Sequence, residues 1–149
     1  MKKLIVFLAI LFFMSGCSAT STTTCTNKTD AFDYKAKIEA KDDKIMKMNE
    51  TIIFSFDAIE VDEDTAKTFL KKWEKPYIGI EGLIFTSKID SEKKEIVAEL
   101  TMDFEKADIS QLLSKEFIKE ELLINSNNKQ YPSLKILVET NEINGQTCK

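Results

Sequence analysis

Glu95-Ile96-Val97-Ala98-Glu99-Leu100-Thr101-Met102-Asp103-Phe104 (95–104) places an apolar side chain at every second position, from Ile96 to Phe104. A strand turns successive side chains to opposite faces, so this stretch reads as a β-strand with one face buried and one wet. The residues around it extend the pattern. Asp90-Ser91-Glu92-Lys93-Lys94 is a turn, and Leu83, Phe85, Ser87 and Ile89 before it give a partner strand. After it, Asp108 is placed to cap a helix carrying Leu112, Leu113, Phe117 and Leu122 on one face.

The same order occurs earlier in the chain. Phe32, Tyr34, Ala36, Ile38 and Ala40 alternate with mostly polar residues, and Lys41-Asp42-Asp43-Lys44 forms a turn. Met46, Met48, Ile52, Phe54 and Phe56 follow on a long second strand, with a break in the alternation at Glu50. Asp62 or Asp64 then starts a helix with Ala66, Phe69, Leu70, Trp73 and Tyr77 on one face, stopped near Pro76 and Gly79. Tyr34-Lys35-Ala36-Lys37-Ile38-Glu39 lines up with Phe85-Thr86-Ser87-Lys88-Ile89-Asp90. The expected fold is therefore α+β: two β-β-α units making one antiparallel sheet, with helices on one face. A C-terminal helix is added, capped by Ser133, with Leu134, Leu137 and Val138 inward and Gly145 as its stop. Ser126-Asn127-Asn128 reads as a loop, and Leu122–Asn125 as either helix or a short edge strand.

The N-terminus has a different character. Lys2 and Lys3 precede an apolar run from Leu4 to Met14, followed by Ser15-Gly16-Cys17. Eleven residues of helix extend about 16 Å, against roughly 30 Å for a hydrocarbon core, so the run reads as a signal-peptide h-region. Met14-Ser15-Gly16-Cys17 resembles a lipobox with Met in place of the usual Leu, and Cys17 is the expected lipidation site. The alternative is an ordinary secretory signal cut nearby, with Cys17 a plain thiol. The expected organisation is a signal peptide over 1–16, a lipidated cysteine and polar tether over 17–24, and a single α+β domain over 25–149. The localisation that follows is the cell membrane, lipid-anchored on the extracytoplasmic face.

With Cys17 acylated, Cys25 and Cys148 remain near the two ends of the mature chain. Export favours a disulfide between them, which would close a loop of over 120 residues and contribute roughly 4–5 kcal/mol on the chain-entropy model. Two free thiols or pairing between molecules are the other readings. With no histidine in the chain, two distant cysteines do not complete a metal shell, and no metal or other cofactor is expected.

Composition narrows the function classes. The chain lacks His and Arg, which removes the commonest general base and the bidentate clamp for phosphates and carboxylates. No Ser-His-Asp or Cys-His constellation is available, and four glycines make no phosphate-cradling loop. The formal net charge of −4 is spread over interspersed signs, without a basic patch, so a nucleic-acid partner is not expected. Asp62, Glu63 and Asp64 are the densest acidic run and suit a capped helix start better than a cation site. Asp33, Asp103, Glu105 and Glu116 offer carboxylates, but nothing in the sequence pairs them, and no catalytic residue is assigned. Phe54, Phe56, Phe69 and Phe85 fit the inward faces of strands and helix. Trp73 and Tyr77, with the glycines of Tyr77-Ile78-Gly79-Ile80-Glu81-Gly82, mark the candidate ligand groove: Trp73, Tyr77, Gly79 and Gly82.

These features resemble the small YehR-like bacterial lipoproteins, a family grouped as a domain of unknown function. The resemblance rests on the lipobox, on Thr24-Cys25-Thr26, on the Tyr77–Gly82 segment and on the closing Gln146-Thr147-Cys148-Lys149. It covers nearly the whole mature chain and is weakest over Glu121–Gln130. It implies an α+β domain with an antiparallel sheet. Members often end in a similar Thr-Cys-Lys after a helix, which implies the Cys25–Cys148 bridge. No activity, ligand or catalytic residue comes with it. The expected function is a membrane-anchored, non-enzymatic binding or interaction domain. Its alternative is a structural or chaperone-like subunit of an envelope complex. The expected partners are the membrane through the lipid anchor and an unidentified protein or small molecule.

Overall fold

A computed structural model describes residues 19–149; the expected signal peptide over 1–16 and the expected lipidation site Cys17 lie outside the described residues. Its first element corrects the expected tether. Ser21–Lys28 forms strand β1, hydrogen-bonded along its length to β2 (Phe32–Lys41), from Ser21↔Ala40 to Lys28↔Asp33. The domain therefore begins at Ser21 and not at Cys25. The run of threonines, polar yet β-branched, suits a sheet position that a hydropathy reading assigns to solvent.

β2 turns into β3 (Lys44–Ser55) through Asp42 and Asp43, both in the left-handed region at φ 50° and 66°. That pair of angles makes the two-residue turn whose twist matches a hairpin, and Asp tolerates it through its short polar side chain. Helix α1 (Glu63–Glu74) starts on Asp62, whose carboxylate accepts the Thr65 amide at 2.8 Å. A short 3₁₀ turn over Lys75–Tyr77 ends it at Pro76. Strands β4 (Leu83–Asp90) and β5 (Glu95–Asp103) form the second hairpin, followed by α2 (Ile109–Ser114). Two short strands, β6 (Leu123–Ser126) and β7 (Lys129–Pro132), lead into α3 (Leu134–Ile143) and the terminal strand β8 (Thr147–Cys148).

The large sheet has the order β4-β5-β3-β2-β1-β8, antiparallel throughout, while β6 and β7 form a separate two-stranded sheet. The two expected β-β-α units are both present, and their second strands, β3 and β5, pair at the centre. Register sets Ile38, Ala36 and Tyr34 of β2, Met48, Glu50 and Ile52 of β3, and Met102, Leu100 and Ala98 of β5 on one face. Helices α1, α2 and α3 cover that face. Ala66 and Leu70 of α1 pack with Ile96 and Phe56, whereas Ile109 and Leu112 of α2 pack with Ile38, Met48 and Met102, with Leu134, Leu137 and Val138 of α3 alongside. Lys35 and Lys37 are exposed on the opposite face, and the Thr101 hydroxyl donates to Asn49 Oδ1 there at 2.9 Å. The fold is α+β.

Helix α2 is shorter than its apolar pattern. Lys115 ends it, Glu116 takes φ 59°, and the amides of Glu116 and Phe117 donate back to the carbonyls of Leu113 and Leu112. This is a Schellman stop with Glu where glycine is usual. Leu122 consequently leaves the helix, and the undecided segment 122–125 resolves as a 3₁₀ turn leading into β6. Asn127 and Asn128, at φ 51° and 63°, make the β6–β7 turn, so the loop reading holds while the strand after it was not expected.

Candidate functional site

Glu50 lies at the middle of β3, opposite Ala36 of β2 and Leu100 of β5, on the face the helices cover. No break occurs there: the strand continues through it, and its carboxylate enters the apolar layer. Tyr34, diagonally across on β2, donates its hydroxyl to Glu50 Oε1 at 2.6 Å. An ionised carboxylate in such surroundings is costly without compensating partners, so burial raises the Glu50 pKa from its ordinary value, with the Tyr34 hydrogen bond opposing. Burial likewise pushes the Tyr34 phenol up, and the neighbouring Glu50 charge adds to it.

Two cavities adjoin this carboxylate. The larger, about 320 Å³, lies between the sheet and the segment following α2, and Met48, Met102, Phe117 and Leu137 are among its walls. The smaller, about 40 Å³, lies toward α1 against Ile52, Trp73, Phe85 and Ala98. Glu50, Tyr77 and Leu100 line both. Among the described residues, those lining the larger cavity carry two ionisable carboxylates, Glu50 inside and the exposed Glu116, and no lysine.

Aromatic rings form the partition. Trp73 meets Phe54 and Phe85 edge-on, with centroids 5.7 and 5.5 Å away. Tyr77 is stacked between Phe85 at 4.6 Å and Phe117 at 4.8 Å. Both ring faces of Tyr77 are thus occupied and its position is fixed, while burial raises its pKa against the opposing Trp73 indole. Such a rigid aromatic wall with one carboxylate suits binding an apolar body and orienting a single polar group on it.

Of the expected groove residues, Trp73 and Tyr77 line these cavities, and Gly79 and Gly82 do not. Gly82, at φ 80°, lets the chain pass against the end of β5: a Cβ there would stand 2.6 Å from the Asp103 carbonyl oxygen and 2.8 Å from the Ala107 nitrogen. Gly79, at φ 78°, has nothing within 4 Å and shapes an exposed turn. Phe69 is half exposed, though its ring reaches Trp73 at 5.5 Å. Cys25 and Cys148 form a disulfide across β1 and β8, with Cys25 fully buried.

The remaining acids have local roles. Asp62 caps α1, and Glu63 and Asp64 pair with Lys67. Asp33 meets Lys28 and Asp103 meets Lys106, while Glu105 is exposed. No cluster of three or more metal-type ligands exists among the described residues. Glu50 and Tyr34 are the functional candidates that the sequence reading missed. The signal was present, since position 50 has the same parity as Met48, Ile52 and Phe54.

Two solved structures share this fold. The NMR structure of the E. coli YehR protein superposes with a TM-score of 0.67 over 89% of this chain and 92% of its own, at 16% identity. The NMR structure of a protein from Streptococcus pneumoniae TIGR4 has a TM-score of 0.57 over 100% of this chain and 96% of its own, at 17% identity. No curated protein matches the chain. The family described as "Protein of unknown function (DUF1307)" matches residues 21–145, nearly all of the described domain, and the chain belongs to that family.

Proposed function

We propose that this protein is a membrane-anchored extracytoplasmic lipoprotein whose domain binds a small ligand, without turning it over, in the cavity beneath β3 and β5. The observation that carries the reading is the cavity of about 320 Å³ beside Glu50, apolar and aromatic over most of its wall. That volume lies at the lower end of small-ligand sites, which combine an apolar lining with a few placed polar groups. The anchor rests on Lys2-Lys3, the Leu4–Met14 run and Cys17. With the first strand starting at Ser21, three residues separate it from Cys17, and the four Cα steps reach roughly 13–14 Å when extended. The domain would then stand against its bilayer, close to amphiphilic ligands.

A thermal-shift screen of the mature chain against sugars, peptides and small amphiphiles tests the binding, because a ligand of the native state raises the unfolding temperature by mass action. The expected result is stabilisation by amphiphiles, weakened in Trp73→Ala; a flat screen counts against the reading. Cys17→Ala is expected to abolish fatty-acid labelling and release the protein from the membrane fraction.

A second reading, a structural or chaperone-like subunit, draws on the outer edge of β4. This eight-residue strand ends the sheet, and Ile84 on it is 63% exposed, a geometry suited to strand addition by a partner chain. Pull-down of a partner lost in Ile84→Lys would support it over the cavity reading.

A further inference from the structure

We propose that the ligand of this cavity is a cationic amphiphile, an apolar chain ending in an amine, with the ammonium group on Glu50 and the chain along Met48, Leu100 and Met102. The inference deepens the binding reading and rests on it. Tyr34 holds Glu50 Oε1 at 2.6 Å, and it is the side-chain hydrogen-bond partner of Glu50 among the described residues. Glu50 itself lines the cavity, and its hydrogen bond to Tyr34 uses only Oε1. A carboxylate accepts two or more strong hydrogen bonds when ionised, and a buried one is best satisfied by a charged donor.

The charge pattern gives the sign. Glu50 and Glu116, one inside the larger cavity and one exposed, are both acidic, and among the described residues no lysine lines it. A carboxylate-bearing ligand would meet like charge twice, a neutral one would leave the Glu50 charge without a counter-charge beside its Tyr34 hydrogen bond, and an amine supplies that charge. The apolar walls ask for a chain on that amine: without one, an ammonium ion exchanges full hydration for a single partner. Burial raises the Glu50 pKa, and an ammonium group beside it would favour the ionised form that the apolar surroundings oppose.

The chain carries one tryptophan, Trp73, which meets Phe85, itself stacked on the Tyr77 wall of the larger cavity, and its fluorescence is read together with the methyl resonances of Met48 and Met102, which line that cavity. The full chain in phosphatidylcholine vesicles is titrated with n-hexylamine and with 1-hexanol, and Glu50→Gln is titrated in the same way. The expected result is tighter binding of hexylamine than of hexanol, with at least a tenfold loss for hexylamine alone in Glu50→Gln. A second measurement needs no variant: in the wild-type chain, hexylamine affinity falls as pH drops and Glu50 is protonated, while hexanol affinity stays level. Equal affinities of hexylamine for Glu50→Gln and wild type, or a pH-independent hexylamine affinity, would overturn the charge assignment and leave the cavity reading standing. No response of Trp73 and of the Met48 and Met102 methyl resonances to either probe overturns both.

Discussion

Glu50 illustrates how one side chain sets the character of an interior. Its folded-state pKa lies above the ordinary 4.5, so the native state holds a proton that the unfolded chain has released. Stability therefore falls as pH rises from about 4.5 through the folded pKa, the reverse of an ion-paired carboxylate. Glu50→Gln keeps an acceptor for the Tyr34 hydroxyl and removes the titration. Its unfolding free energy, measured by urea denaturation at a series of pH values, is expected to gain on the wild type as pH rises through that window. A constant difference would show that Glu50 is not shifted. Asp43 acts on a different problem, docking α3 onto the β2–β3 hairpin. Its carboxylate accepts the hydroxyl of the buried Ser133 and the amide of Lys135, each at 2.7 Å, and its backbone carbonyl accepts the amide of Leu134. Asp43→Ala strands those donors and places alanine at φ 66°, so a loss of about 2–4 kcal/mol is expected by chemical denaturation. Neither role was legible in the sequence. Asp43 read as an ordinary turn residue because its partners lie 90 or more positions away, and Glu50 read as an interruption because acidic residues seldom take inward strand positions.

Among the elements, the two hairpins were legible because alternation and turn composition agree in both. Helix α1 was legible through its cap and apolar face. The failures have identifiable physical causes. β1 carries threonines on both faces and shows no hydrophobic period, so only its pairing with β2 defines it. The end of α2 depends on a left-handed Glu116, for which the sequence offers no glycine signal. Replacing Glu116 by Gly removes a penalty of roughly 1 kcal/mol for an L-residue in that region, and a modest rise in melting temperature is the expected result. The glycines before β4 separate the two costs of adding a side chain. Gly79→Ala meets open space and should lose about 1 kcal/mol through backbone strain alone. Gly82→Ala drives a methyl group against the backbone at Asp103 and Ala107, and a loss of more than about 3 kcal/mol is expected. Equal losses at the two positions would argue that the close approach at Gly82 is relaxed in solution.

At the scale of the whole molecule, the ends of the domain meet at one edge of the sheet. The disulfide joins residues 123 apart, and the Thr24 and Lys149 backbones exchange hydrogen bonds at 2.7 and 2.9 Å beside it. A loop of that length corresponds to roughly 4–5 kcal/mol on the chain-entropy model, so Cys25→Ala with Cys148→Ala should lower the melting temperature by on the order of 10–20 °C. The same closure holds β8 against β1, the strand with which the described domain begins. The central claim is that the space beside Glu50 receives a ligand. Methyl NMR tests it most directly: Met48 and Met102 line the larger cavity, whereas Met46 does not. On titration of the mature chain with 1-hexanol, the methyl resonances of Met48 and Met102 are expected to shift to saturation while that of Met46 stays in place. Unchanged Met48 and Met102 signals at saturating hexanol, or a shift of Met46 alone, would contradict the account.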